Sequence, residues 1–183
     1  MRSLFAVLFA STLVLAGCAS IPLSTAMRLS SLKPRTLAQL DPADVRVRVS
    51  LPDGFELNVP KSRLTVSLAA TNGPSRKSQL GLSLLQTVRD TRSPGWFSAD
   101  VPVSTYVLAL SPEGVREMRA MQQFALAGNP NKFELGINVP LAKSPENPRD
   151  LTFWADVKLR RDESWMRLID GATLKFDRTS ASR

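Results

Sequence analysis

Side chains able to perform acid–base or nucleophilic chemistry are few in this chain, which has 183 residues, one cysteine and no histidine. Without histidine the chain lacks the commonest general base and the commonest metal ligand, and a Ser-His-Asp triad is excluded. The remaining groups are carboxylates, the hydroxyl of Tyr106, and Ser30 with Lys33 at a spacing that can pair a nucleophile with a base. Ser30 and Lys33 fall in a segment without sustained periodicity, so we assign them no catalytic role.

Paired carboxylates are the strongest catalytic candidates, because one protonated and one ionised acid suffice to cleave a glycosidic bond. The acids considered for this chemistry are Glu56, Glu134, Asp156 and Asp170. Each falls on the outward phase of a predicted strand or in a turn, where an acid is usually a solvated partner of a nearby Lys or Arg. We therefore predict no catalytic residue, and we keep a cell-wall hydrolase with paired carboxylates as an alternative.

The N-terminal residues follow the pattern of a secretory signal, since Arg2 precedes an almost wholly apolar run over residues 4–16. This run is shorter than the roughly 20 residues that a membrane-spanning helix needs. It ends in Leu15-Ala16-Gly17-Cys18, so the single cysteine lies three residues after a leucine and directly after two small residues. This stretch resembles the lipobox of bacterial lipoproteins.

The resemblance implies that residues 1–17 are removed and that Cys18 carries a diacylglycerol on its sulfur and usually an acyl group on its amine. Two or three acyl chains suffice for stable anchoring, since each buried methylene contributes about 0.8 kcal/mol. In the family an aspartate after the cysteine tends to retain the protein at the inner membrane, and Ala19-Ser20 here favours the outer membrane. The alternative is an ordinary signal peptide cleaved nearby, in which the cysteine is incidental.

Charge and composition narrow the possible partners. The chain has 24 Lys and Arg against 16 Asp and Glu, and the leader holds one of the basic residues, which leaves a mature net charge of +7. Because the chain is predicted to be exported, nucleic acid is a poor candidate for a partner that binds this positive charge. The remaining candidates are anionic lipid head groups, cell-wall carboxylates and an acidic protein. The alternative is a basic surface that is solvated and binds no partner. The absence of histidine and the assignment of Cys18 to lipid predict no metal and no cofactor.

Period-two hydrophobicity dominates the chain after residue 44 and predicts an α+β fold that is mainly antiparallel β. Residues 18–41 are predicted to be the lipidated N-terminus and tether, residues 42–177 one globular domain, and residues 178–183 a disordered tail. Residues 163–176 suit either a strand pair turning at Asp170-Gly171 or a short helix, and we favour the strand pair. The other predicted strands cover residues 45–51, 55–59, 63–70, 79–88, 101–110, 133–139 and 151–159, and the strand at 55–59 is predicted to close a hairpin with the strand at 45–51.

One long helix is predicted at about residues 111–127, and it completes a sheet or sandwich of about seven strands. Ser111 suits the N-cap, Pro112 the first helical position and Glu113 the first turn, while Gly128 followed by Pro130 predicts the end. Apolar side chains recur at helical spacing at Val115, Met118, Met121 and Ala125.

Three large aromatic residues are the candidates for a binding surface. Trp96 and Phe97 follow Pro94-Gly95 in a loop, where they either contact a partner or fold back over the core. Trp154 lies among polar residues of its strand and either stacks on a sugar or packs under the helix. Basic residues of the first half form either one face or a scattered rim: Arg46, Arg48, Lys61, Arg63, Arg76, Lys77, Arg89 and Arg92.

These observations predict a non-catalytic, lipid-anchored protein of the cell envelope that faces the periplasm. The first hypothesis is an adaptor or assembly factor that binds another envelope protein through a sheet face or edge. The alternatives are a carrier of a lipid or another hydrophobic ligand held between sheet and helix, and the hydrolase considered above.

Overall fold

The computed structural model describes residues 34–94, 99–128 and 130–176. Within these residues the chain forms nine strands, two α-helices and two short 3-10 turns, the turns spanning Pro42–Asp44 and Val59–Lys61. In chain order the elements are α1 (Pro34–Ala38), β1 (Arg46–Pro52), β2 (Glu56–Leu57), β3 (Arg63–Ala69), β4 (Ser75–Arg92), β5 (Val101–Leu110), α2 (Pro112–Gly128), β6 (Lys132–Asn138), β7 (Leu141–Lys143), β8 (Asp150–Lys158) and β9 (Met166–Lys175).

Seven of these strands form one nearly closed sheet in the order β6-β3-β4-β5-β1-β8-β9, and β2 pairs separately with β7. All of the pairings are antiparallel. The predicted α+β class, with about seven antiparallel strands and one long helix, is therefore confirmed. The helix predicted at 111–127 is observed as α2, one residue later at each end.

Strand β4 has 18 residues and changes its partner along its length. Its first half pairs with β3, and the last pair of that ladder joins Arg63 to Gly81. Its second half, from Leu82 to Arg92, pairs with β5 and contains a register irregularity between Leu84 and Gln86. Among the described residues, the edge of this second half that faces away from β5 has no strand partner. We call residues 82–92 the open half of β4.

The two faces of the sheet differ because apolar residues alternate with polar ones. On β1, Val47, Val49 and Leu51 are at most 1% exposed and belong to the main hydrophobic core. Met118 and Met121 of α2 belong to the same core, at 2% and 0% exposure. We call this side the inner face, and the opposite side, which carries the alternate residues of β1, the outer face.

The start of α2 is fixed closely against β4. The Ser111 hydroxyl oxygen accepts a hydrogen bond from the Gly114 N–H at 3.1 Å, as expected of an N-cap, and the Ser111 N–H donates to the Gly81 carbonyl at 2.8 Å. A Cβ on Gly114 would overlap the Gly81 carbonyl oxygen. Glycine at position 114 therefore lets the helix approach the strand backbone directly.

Two local predictions are wrong. The short strand after the first turn does not close a hairpin with β1, because β2 pairs with β7 across the chain. Residues 166–175 form the single strand β9 along β8, and not a strand pair or a helix. Asp170-Gly171 lies where the register between these strands shifts, and Gly171 takes φ +67°, so a local irregularity replaces the predicted turn.

Part of the predicted tether belongs to the folded body. Leu37 and Leu40 are 2% and 5% exposed and pack in the main core. The Gln122 amide of α2 donates hydrogen bonds to their carbonyl oxygens at 3.0 and 2.6 Å. Residues 34–41 therefore join the domain that was predicted to begin at residue 42. The predicted leader, Cys18 with its predicted lipid, and the predicted tail at 178–183 lie outside the described residues.

Candidate functional site

The outer face brings together charged residues that are distant in the sequence. Antiparallel register places Arg48 of β1 opposite Asp156 of β8, and Asp156 opposite Arg167 of β9. Arg92, the last residue of β4, reaches the same carboxylate. We call Arg48, Arg92, Asp156 and Arg167 the outer-face cluster.

Asp156 is the centre of this cluster, and its side chain is 3% exposed. Arg48 contacts Asp156 Oδ2 through Nε and one terminal nitrogen, both at 3.0 Å, and a terminal nitrogen of Arg92 lies 3.5 Å from the same oxygen. Arg167 Nε lies 3.6 Å from Oδ1. The prediction of a solvated acid is wrong for this residue, because Asp156 is buried and guanidinium groups compensate its charge.

Aromatic and acidic neighbours orient the arginines. The Arg48 guanidinium carbon lies 4.4 Å from the ring centroid of Trp165, and Lys158 Nζ lies 5.3 Å from the same ring. Both distances are within the range of cation–π attraction. Arg167 also donates to Asp170 Oδ1 at 3.0 Å, so one guanidinium joins Asp156 and Asp170. The cluster is therefore held by ion pairs beneath and by an aromatic ring at its side.

Trp154 is 2% exposed and lies on the outer face, beside the buried hydrogen bond of 2.8 Å between Ser50 and Thr105. A Cβ on Gly171 would lie 3.4 Å from the indole nitrogen of Trp154 and 3.5 Å from the Pro94 carbonyl oxygen. The ring is thus enclosed by neighbours, and a sugar would reach it only if these neighbours moved. Trp96 and Phe97, the other candidates, lie outside the described residues.

The four carboxylates considered for catalysis are distributed over the molecule. Glu56 of β2 is exposed and lies 3.4 Å from Lys143 Nζ. Glu134 lies on β6, at an open depression of about 270 Å³ that Lys77 and Lys132 also line. Only Asp156 and Asp170 are joined, through Arg167. Among the residues that the structure describes, no group of three or more His, Cys, Asp or Glu is arranged to hold a metal ion.

The basic residues predicted as one face or a scattered rim separate into several environments. Arg48 and Arg92 meet in the outer-face cluster. Arg46 and Arg63 instead donate to backbone carbonyl oxygens close to them in the chain. The local sequence around Arg167, in the second half of the chain, gives no signal for its role, because that role depends on the pairing of β9 with β8.

The open half of β4 is the second candidate surface. Leu84, Leu85 and Val88 are 48%, 55% and 45% exposed on this unpaired segment. A strand edge offers unpaired N–H and C=O groups, and natural proteins usually cover or charge such an edge. Here two adjacent leucines mark its beginning, and charged residues follow only from Arg89 onward.

The interface between helix and sheet is filled by side chains. Met118, Met121, Leu80 and Leu108 are each at most 2% exposed and belong to one continuous core. Neither helix within the described ranges has the length and apolar character needed to cross a bilayer. Comparison of the chain with protein-family models, with curated proteins and with solved structures gave no match.

Proposed function

We propose that this chain is a non-catalytic, lipid-anchored protein of the bacterial cell envelope. In this proposal Cys18 holds it at the outer membrane, facing the periplasm, and the open half of β4 binds another envelope protein. The observation that carries the adaptor role is the unpaired segment 82–92 with three exposed apolar side chains.

The geometry of this segment suits the addition of a strand from a partner. The Val59–Lys61 turn packs against β4, and where this turn leaves the edge uncovered an extended peptide would pair with main-chain groups that have no strand partner and gain affinity from them. Leu84 lies opposite Leu108, an inner-face residue, whereas Val88 lies opposite Thr105, an outer-face residue. The partner strand would therefore present apolar side chains toward both faces near residues 84–88, and acidic ones toward Arg89 and Arg92.

The helix–sheet interface favours an adaptor over a carrier. A carrier needs apolar space to enclose a ligand, and pockets for such ligands are typically a few hundred cubic ångströms. In this structure methionine and leucine side chains occupy the space between α2 and β4, where a hydrophobic ligand was expected to be held.

Photo-crosslinking tests the strand-addition surface. A photoreactive phenylalanine analogue at Leu85 is expected to form one reproducible adduct in intact envelopes of the producing cells. The same analogue at Leu126, which is 70% exposed on α2, is the matched control and should not form it. With the analogue placed at Val88, Leu85→Lys should abolish the adduct and Leu126→Lys should preserve it. Adducts that are absent at position 85, or equal at both sites, would contradict the proposal.

Lipid attachment needs a separate test. Labelled palmitate should enter the wild-type chain and be absent from Cys18→Ser, and intact mass should show a mature protein beginning at Cys18. A mature chain with an unmodified thiol would contradict the anchor while leaving the strand-addition surface untouched.

A further inference from the structure

The outer-face cluster arranges its charges in two layers. The Asp156 side chain is 3% exposed, whereas those of Arg48 and Arg167 are 25% and 44% exposed. The Asp156 charge therefore lies beneath the guanidinium groups of Arg48 and Arg167, whereas the flanking Asp90 and Asp170 side chains are 49% and 44% exposed. Positive potential toward an approaching anion therefore comes from the excess of cations over carboxylates at this surface.

Cationic donors also outnumber the carboxylates around them. Each guanidinium carries five N–H donors, and three of these groups converge on one buried carboxylate. Within the part of the chain that the structure describes, Arg92 Nε is buried without a hydrogen-bond partner, and its nearest carboxylate, Asp90, is 3.9 Å away. Four cations face three carboxylates here, namely Arg48, Arg92, Lys158 and Arg167 against Asp90, Asp156 and Asp170.

The donors are held in place before any ligand arrives. Asp156 binds Arg48 by two nitrogens, and Trp165 covers the Arg48 guanidinium on one side. A site fixed in this way loses little conformational entropy when an anion binds.

We infer that the outer-face cluster binds a phosphate group, with Arg48 and Arg167 as its accessible ligands. Asp156 acts as the positioning residue that gathers the guanidinium groups. Phosphate fits because its several oxygens accept from more than one guanidinium, and charge-assisted hydrogen bonds of this kind are strong. The phosphate belongs either to a soluble ester or to the head group of an anionic phospholipid. This inference does not depend on the strand partner of β4.

Calorimetric titration with inorganic phosphate at low ionic strength tests the site. The probe protein is the full chain with Cys18→Ser, so that acyl chains do not contribute. Saturable binding is expected, and Arg167→Gln should weaken it about tenfold, because one charge-assisted hydrogen bond is lost. Arg119→Gln removes the same charge from an exposed position on α2 and should change the affinity by less than about twofold.

Vesicles distinguish the two sources of phosphate. Binding to phosphatidylglycerol vesicles but not to phosphatidylcholine vesicles, with displacement by inorganic phosphate, would support the site and assign a lipid head group. Phosphate binding that Arg167→Gln weakens, without vesicle binding, would support the site and assign a soluble ester.

Two results would overturn the inference. One is the absence of phosphate and vesicle binding by the wild-type surface, and the other is an equal effect of Arg167→Gln and Arg119→Gln. Thermal unfolding of each variant shows whether it folds. If Arg167→Gln does not fold, Arg167→Lys and Lys158→Gln are measured in its place. Arg167→Lys should keep part of the affinity for phosphate, and Lys158→Gln should lower that affinity.

Discussion

Replacing Gly114 with alanine should destabilise the domain, although alanine is the better helix former. The added Cβ would overlap the Gly81 carbonyl oxygen and lie 3.0 Å from the Gly81 nitrogen. Both groups are backbone, so neither can rotate away. The start of α2 would have to move by about 1 Å to restore van der Waals contact. That movement would also strain the 2.8 Å hydrogen bond from the Ser111 N–H to Gly81.

The expected loss of stability follows from three terms. Overpacking at a close contact costs about 1–3 kcal/mol, and a weakened hydrogen bond adds about 1 kcal/mol. The higher helix propensity of alanine offsets this loss by about 1 kcal/mol of unfolding free energy. The net destabilisation for Gly114→Ala is therefore about 2 kcal/mol, which lowers the melting temperature of a domain this size by about 4–8 °C.

Gly128→Ala in the same helix is the matched control. Its Cβ would meet only the Phe124 ring at 3.8 and 3.9 Å, which is ordinary contact. This variant should gain up to about 1 kcal/mol and melt at a slightly higher temperature. Thermal unfolding followed by circular dichroism compares the two. A Gly114→Ala protein that melts at or above the wild-type temperature would refute the reasoning from close helix–strand approach.

Three further predictions concern the outer-face cluster, the packing of residues 37–40 against α2, and the glycine of β9 with positive φ. Asp156→Asn should cost about 3–5 kcal/mol in denaturant unfolding, because it leaves the guanidinium groups without their buried partner, whereas Asp170→Asn, 44% exposed, should cost less than about 1 kcal/mol. Gln122→Ala removes two hydrogen bonds to residues 37 and 40 and should speed tryptic cleavage after Arg35 at least severalfold. Gly171→Ala, at φ +67°, should lower the free energy of unfolding by about 1–2 kcal/mol, measured in the same assay.

The sequence predicted those helices and strands that are specified by a short continuous stretch of residues. The helix observed at 112–128 was predicted at about 111–127 because a capping serine, a proline and apolar spacing occur together, and Ser111 does cap it. The alternation of Val45, Val47 and Val49 likewise predicted β1, since one buried face requires that period. The antiparallel class and the approximate number of strands in the main sheet followed from the same patterns.

The pairing of strands that are distant in the chain could not be predicted from such local patterns. The pattern of β2 is compatible with a hairpin to β1, and its choice of β7 depends on residues more than 80 positions away. Asp156 has the outward phase of a solvated acid, and its burial arises only when Arg48, Arg92 and Arg167 arrive from three other strands. Composition can show that arginine is abundant, but register decides which arginines meet.

Both candidate surfaces follow from the change of partner along β4. Because β3 begins at Arg63, which pairs with Gly81, β4 continues for eleven residues with β5 alone. Leu85 is exposed on this extension, and the far end of the extension delivers Arg92 to the Asp156 carboxylate. A strand that stopped at Gly81 would have neither the open edge nor the third guanidinium. The length of β4, rather than any single motif, therefore creates the features on which the proposed strand addition and the proposed phosphate site depend.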